Sequence, residues 1–342
     1  MKALVTGGAG FIGSNLVDRL LDRAEMVVVV DNETANTHEE TYWNDGAINV
    51  KMDVNDKGFN NVVTNIDCIF HLAADISIPY SIENPVATYA NNVHGLLNVL
   101  ETARKNDIKK VIFSSTAAIY GLTDKVCVET DTPDPLNPYS VSKLAGEYLM
   151  KMYNDLYGIQ TASLRYFNVY GPRQSNTGQY APVVGIFQKQ KENNGALTIV
   201  GDGEQTRDFV HVSDVVSANI FCMNNIKSVS GKVFDVGTGN NISNIDIGNM
   251  TAAVIVTESE GIGSNDNDTT IPTSAAVKDY VDNNAGSTGD ISFSGNHMKT
   301  GSSNASGLRS LRLTCRLARG STATGAARHC STEPTSPAGG TT

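Results

Sequence analysis

Gly7-Gly8-Ala9-Gly10-Phe11-Ile12-Gly13 decides the fold. A short apolar run, Lys2-Ala3-Leu4-Val5, leads into it, and a helical pattern continues from it to Arg23. A second apolar run, Val27–Val30, ends on Asp31-Asn32. The order is strand, glycine loop, helix, strand, acid, which suits a dinucleotide. Gly7 permits the tight turn. Gly10 puts no side chain between backbone and pyrophosphate. Gly13 lets the helix approach the sheet. Unpaired N–H groups at the helix start then face the phosphates. Asp31 accepts hydrogen bonds from an adenosine ribose and repels a 2′-phosphate, so the expected cofactor is NAD rather than NADP. The alternative is a glycine turn with no ligand, and the strand, helix and acid in their places weigh against it.

The chain has 342 residues, 40% of them apolar, enough for one large domain or two smaller ones. Its net charge is −10 and its pI is near 5.1. The first 245 residues carry no basic stripe, so nucleic acid is not an expected partner. Cys68, Cys127, Cys222, Cys315 and Cys330 form no CxxC pair, which supports neither disulfides nor a metal site. No apolar run is long enough to cross a membrane. The sequence opens directly on a core strand with no signal-peptide pattern, so a reducing compartment, the cytoplasm, is expected.

Further along, Asp53-Val54 follows a short strand candidate, where it touches an adenine ring or is a solvated loop acid. Asp67–His71 reads as a buried strand running into Leu72-Ala73-Ala74, small enough for a close cofactor approach. His71 reads as a core histidine in preference to a catalytic base. Pro85–Arg104 has helical spacing, with Asn91-Asn92 taken to open it and either to cap it or to reach the cofactor. Lys110–Phe113 is a strand that ends in Ser114-Ser115-Thr116, and parallel sheets put ligands beyond such ends.

Tyr139 and Lys143, four apart behind Pro138, share one helical face. Alone they would read as an ordinary helix pair. After a nucleotide loop and Thr116 they read as a catalytic set. Thr161–Arg165 is a further strand, and the polar, aromatic stretch after it, Tyr166–Arg173, reads as a pocket wall. Arg207 is either a phosphate clamp or part of a surface salt bridge. Ser213 or Asp214 is expected to cap a helix running through Asn225, and Val233–Val236 is the last strand. From about Ile247 to Thr342 Ser, Thr, Asn and Gly dominate, and this stretch is expected to be partly disordered, with short elements near Met250–Val256 and Tyr280-Val281.

Residues 1 to about 245 resemble the extended short-chain dehydrogenase/reductase family, in its NAD-dependent nucleotide-sugar epimerase/dehydratase branch. The matching segments are GGAGFIGSNL, VVVVDN, the HLAA run, FSSTAAIYG, YSVSK, RYFNVYGPRQ, GDGEQTRDFVHVSDV and FDVGTG, in family order. The resemblance implies an α/β fold: a Rossmann-type parallel sheet with a smaller, incomplete substrate lobe and a low-complexity tail. It implies an NAD-binding domain over 1–246, with about 166–232 in the lobe, and an atypical tail over 247–342.

By match, Thr116, Tyr139 and Lys143 resemble the Ser/Thr–Tyr–Lys catalytic set. Phe11, Ile12, Asp31, Asn32, Asp53, Val54, Asn91 and Phe167 resemble cofactor contacts. Asn168 and Arg207, with Thr116, resemble contacts to the sugar nucleotide. Dehydratases of the family carry Asp-Glu after the catalytic Thr, whereas this chain has Ala117-Ala118, and the Glu of the related decarboxylases is also absent. What remains resembles a 4-epimerase of UDP-glucose/galactose type working through a 4-keto sugar. The resemblance also implies a homodimer through helices at 92–105 and 139–157. In the tail, Asn267–Val281 resembles phage structural proteins, which leaves a second reading: an inactive NAD-binding module of a phage or fused structural protein.

Overall fold

The computed structural model describes residues 1–24, 26–35, 40–123, 125–175, 183–193, 196, 198, 204–243, 255–256 and 271–272. These all fall in the first of two units, Met1–Asp282. The start of the GDGEQTRDFVHVSDV segment at 201–203, the element at Tyr280-Val281, the phage-like stretch up to Val281 beyond Ile271-Pro272, and nearly all of the 247–342 tail lie outside the described residues.

The elements run β1 (Lys2–Thr6), α1 (Phe11–Leu21), β2 (Met26–Asp31), β3 (Ile48–Lys51), α2 (Phe59–Val62), β4 (Cys68–His71), α3 (Ile78–Glu83) and α4 (Pro85–Tyr89). A π-helical turn, Ala90–His94, joins α4 to α5 (Gly95–Lys105). Then come β5 (Lys110–Thr116), a 3-10 turn (Ala117–Tyr120), α6 (Pro138–Tyr157), β6 (Gln160–Tyr166), β7 (Asn168–Tyr170) and α7 (Val183–Glu192). The series closes with β8 (Thr206–Arg207), β9 (Phe209–His211), α8 (Val212–Asn224), α9 (Ile226–Val229), β10 (Lys232–Val236) and β11 (Ile242–Ser243). In the tail, Ile255-Val256 pairs in parallel with Ile271-Pro272, the first within the element expected near Met250–Val256.

Seven strands form one parallel sheet in the order β10-β6-β5-β4-β1-β2-β3. Both faces are covered, which is why the strands read as continuous apolar runs rather than alternating ones. Alternate residues still go to opposite faces. Ala3 and Val5 pack with Leu16 and Leu20 of α1. Leu4 packs with Leu96 and Leu100 of α5. The strand order reverses between β1 and β4, and a parallel sheet opens its ligand crevice at such a point.

The short strand expected ahead of Asp53-Val54 is β3, which ends at Lys51. β5 ends in Ser114, Ser115 and Thr116, as expected. Other local expectations are corrected. Asn91-Asn92 does not open a helix: it sits in the π turn of a helical run already under way from Pro85, and neither side chain caps it. His211 rather than Ser213 or Asp214 caps α8, because its Nδ1 accepts from Ser213 N–H at 3.3 Å and puts both expected caps inside the helix. Within the stretch assigned to the lobe, α8 packs beside α1 and covers the main sheet with Val215, Val216 and Ile220. Two small sheets, β7 with β9 and β8 with β11, stand apart from the main one.

Candidate active site

A cavity of about 460 Å³ opens at the carboxyl ends of β1, β2, β4 and β5. Its floor is the glycine loop. Gly7 has φ +69°, its N–H donates to Val30 O at 2.8 Å, and a Cβ there would lie 2.7 Å from Ala73 N. Gly7 is therefore glycine for two reasons, the turn and the close approach of the Leu72-Ala73-Ala74 backbone. A Cβ on Gly13 would lie 2.1 Å from Gly7 O, so α1 reaches the loop only because that position is bare. The start of α1, capped by Gly10, has no side-chain hydrogen bond to its N–H groups. Gly10, Phe11, Ile12 and Gly13 line the cavity there.

Asp31 ends β2 with both carboxylate oxygens held: Oδ2 accepts from Ala9 N–H at 3.0 Å and Oδ1 from Glu33 N–H at 2.8 Å. Asn32 donates through Nδ2 to Asp53 Oδ2 at 2.7 Å, and Asp53 Oδ1 accepts from Asn55 N–H at 2.8 Å. Asp53 and Val54 thus form a fixed wall of the cavity rather than a solvated loop. Leu72, Ala73, Ala74 and Asn91 line the opposite side, with Asn91 Nδ2 donating to Asp75 Oδ2 at 2.7 Å. The π turn that carries Asn91 is a rare backbone form that concentrates at functional sites. An open helix N-terminus, a bare glycine floor and a held acid at the end of β2 fit a dinucleotide.

The reactive side chains meet at the wall formed by β5 and α6. Asn137 begins α6: its side chain accepts from Ser140 N–H while Ser140 returns a bond to the Asn137 backbone, and Pro138 occupies the first turn. This cap sets where Tyr139 starts. Tyr139, Lys143 and Thr116 all line the cavity. Thr116 Oγ1 accepts from Ala118 N–H at 3.1 Å, so its proton is left for the Tyr139 oxygen. Burial pushes the Tyr139 phenol above its ordinary range, and the Thr116 hydrogen bond pulls it back down. Lys143 Nζ donates to Ser114 O at 2.9 Å and lies over the Phe113 ring. Burial pulls Lys143 down to about 7.

His71 is 1% exposed, with Nδ1 2.7 Å from Thr6 Oγ1, and burial pulls it to about 3. It is a neutral core histidine. Phe167 and Asn168 line the cavity, and Asn168 donates through both its backbone N–H and its Nδ2 to Asp208 O. Arg207 does not join them. It is exposed on β8, outside the cavity lining, and its Nη1 donates to Thr206 O at 2.7 Å.

Sequence reasoning missed a buried polar group behind the site. Glu147 and Arg165 pair at 2.8 Å with 5% and 4% exposure. Asp208, also buried, holds the Thr238-Gly239 turn through three N–H and O–H donors. The available signal was charge in segments otherwise reading as core, because a buried charge requires a partner. Among the described residues, no cluster of His, Cys, Asp and Glu could hold a metal, and no helix is long and apolar enough to cross a membrane.

The family model described as NAD dependent epimerase/dehydratase matches residues 3–237. The chain belongs to that family. A UDP-glucose 4-epimerase of Mycolicibacterium smegmatis is 37% identical over 246 residues, covering 70% of this chain and 78% of the relative. A solved UDP-glucose 4-epimerase of Thermotoga maritima, with UDP-glucose, superposes with a TM-score of 0.66 at 35% identity, over 72% of this chain and 80% of that one. A Thermus thermophilus UDP-glucose 4-epimerase in complex with NAD gives 0.65 at 35% identity, over 72% and 81%. The family's matched region includes every cavity residue named above.

Proposed function

We propose that the chain is an NAD-dependent UDP-sugar 4-epimerase, with residues 1–246 as its catalytic unit. The observation that carries the reading is the meeting of Thr116, Tyr139 and Lys143 on the wall of the same cavity whose far side holds Asp31. Similarity to UDP-glucose 4-epimerases supports the substrate class and the cofactor. The inactive phage-module reading has no such support.

When bound, NAD supplies the hydride acceptor, and then the donor, for C4 of the sugar. The protein does the rest. Gly7, Gly10, Phe11, Ile12 and Gly13 cradle the pyrophosphate, and Asp31 and Asn32 take the adenosine ribose. Asp53, Val54 and the Leu72-Ala73-Ala74 run flank the adenine side, while Asn91 and Phe167 complete the cofactor wall. Asn168, which lines the cavity, is assigned to the substrate diphosphate, and Arg207, outside the lining, is not.

The Tyr139 oxygen takes the proton of the 4-hydroxyl and later returns it. Thr116 donates to that oxygen and so favours its anion. Lys143, with a pKa near 7, takes the nicotinamide ribose. The 4-keto sugar would present its other face before the hydride returns to C4 and the proton to its oxygen, which inverts C4. Ala117 and Ala118 offer no side chain that could exchange a further proton, so elimination has no agent there.

The test is interconversion of UDP-glucose and UDP-galactose with no net NADH formed. Tyr139→Phe is expected to lower kcat at least about 10²-fold. Undiminished turnover in that variant overturns the mechanism. We further assign the protein to the cytoplasm and to a homodimer. The dimer rests on the resemblance, which puts it through the helices at 92–105 and 139–157, and on the second of these Tyr148 and Leu156 face outward.

A further inference from the structure

Ser115, Arg165 and Asp235 stand in register across three adjacent parallel strands, β5, β6 and β10. A buried parallel sheet normally fills such a row with apolar side chains. Here Glu147 of α6 lies over the row. Ser115 Oγ donates to its Oε1 at 2.5 Å, and Arg165 grips both its oxygens, Nε to Oε1 at 2.9 Å and Nη2 to Oε2 at 2.8 Å. Arg165 Nη1 also donates to Tyr120 OH at 2.7 Å, and Tyr120 OH donates on to the Asp235 carboxylate at 2.8 Å.

Three facts give this group a consequence for the site. Ser115 immediately precedes Thr116. Tyr120 ends the 3-10 turn that follows Thr116. Glu147 is four residues beyond Lys143 and eight beyond Tyr139, on the same face of one helix. One buried ion pair is therefore bonded to both flanks of Thr116 and to the helix that carries Tyr139. The pair bonds to Ser115 and Tyr120 rather than to Thr116 or Tyr139, so it acts through its neighbours.

We infer that the Glu147–Arg165 pair, through Ser115 and Tyr120, is a positioning element that sets the register between the end of β5 and α6, and so the approach of Thr116 to Tyr139. The inference rests on the epimerase reading for its kinetic test. A bidentate guanidinium–carboxylate pair has a narrow allowed geometry, unlike apolar packing, which tolerates sliding. It fixes α6 along its own axis, the direction in which a slip would separate Tyr139 from Thr116.

Ser115→Ala removes one bond to Glu147 and leaves the ion pair whole, so this variant is expected to fold. Its kcat is expected to fall about tenfold, with KM for UDP-galactose and NAD affinity within about twofold of wild type. In a Thr116→Ala background the same substitution is expected to change nothing further, because its effect passes through Thr116. A tenfold loss that persists in that background, or wild-type kcat in Ser115→Ala, overturns the proposal. Glu147→Gln is expected to show a larger kcat loss with the same split. If the wild-type chain turns over no UDP-sugar, the epimerase reading falls, and the positioning role is read separately from the ring-carbon resonance of isotope-labelled Tyr139. That resonance is expected to move in Ser115→Ala toward its position in Thr116→Ala, and an unmoved resonance overturns the inference.

Discussion

Lys143 Nζ donates to the carbonyl oxygen of Ser114 at 2.9 Å, inside a wall that leaves it 4% exposed. Burial brings its pKa to about 7. The unfolded chain holds that proton until about pH 10. Between those values the unfolded state binds more protons than the folded state, so stability rises with pH across the window. Below about 7 both states are charged, and the folded protein carries the full cost of burying the ammonium. Comparing wild type with Lys143→Met in cofactor-free urea unfolding isolates this group. The wild type is expected to gain on the variant by a few kcal/mol, ~1.4 per pKa unit, between about pH 7 and 10. A difference flat in pH would mean that Lys143 is not desolvated in the folded chain.

The Thr116 hydroxyl is the group that pulls the Tyr139 phenol down against burial. Thr116→Val keeps the shape and removes the donor. The phenolate loses a hydrogen bond, its pKa rises, and the limb of kcat/KM that depends on the anion moves to higher pH. At neutral pH kcat is expected to drop ~10²-fold. The pH profile of kcat/KM checks the direction, and a limb displaced to lower pH would contradict the assignment.

Much of this site is legible in the chain itself because its chemistry is local. Gly7 to Gly13 form one turn and one helix start, and Tyr139 and Lys143 are one helical turn apart, so spacing alone brings each set together. The polar row of Ser115, Arg165 and Asp235 is not legible, because strand register joins residues that are 50 and 70 positions apart. Nor is the cap at His211, since an imidazole accepting a backbone N–H has weaker cap statistics than the Ser and Asp beside it. Asn91 lines the cavity, but not as the opening residue of a helix. Pro85 had already started the helix, and a π turn inserted one extra residue per turn rather than a new N-terminus. Arg207 marks the opposite limit: its residue type suggests a phosphate clamp, while its place on the short β8 leaves it outside the cavity lining.

Gly13 and Gly158 separate two reasons for glycine. A Cβ on Gly13 meets Gly7 O at 2.1 Å, and that oxygen belongs to backbone that cannot swing away. Gly158 has φ +68° at the end of α6 with nothing within 4 Å of its Cβ position. Gly158→Ala is expected to cost ~1–2 kcal/mol for its left-handed conformation and to leave NAD affinity unchanged. Gly13→Ala is expected to cost a further ~1–3 kcal/mol through overpacking and to weaken NAD binding as well, because relief requires the loop to move. Calorimetry with and without NAD distinguishes the two. Equal NAD affinity in both variants would remove the loop from the cofactor site.

The proposed homodimer makes a sharper demand on the surface than on the site. Tyr148 is 64% exposed and Leu156 68% exposed on α6, and α4, which packs beside α6, carries Val86 at 80%. A helix that turns its apolar stripe to water leaves a patch whose burial is worth ~25 cal/mol per Å². If two copies meet there, each Tyr148 lies on α6 of one copy against the corresponding face of the other, as twofold symmetry requires. Tyr148→Glu then buries two unpaired carboxylates per dimer. The dimer dissociation constant is expected to rise about thirtyfold or more, ~2 kcal/mol, with the fold intact by circular dichroism. Sedimentation equilibrium reads this directly. A wild-type chain that sediments as a monomer at micromolar concentration would sink the dimer outright, whereas a dimer unaffected by Tyr148→Glu would move the interface to another face.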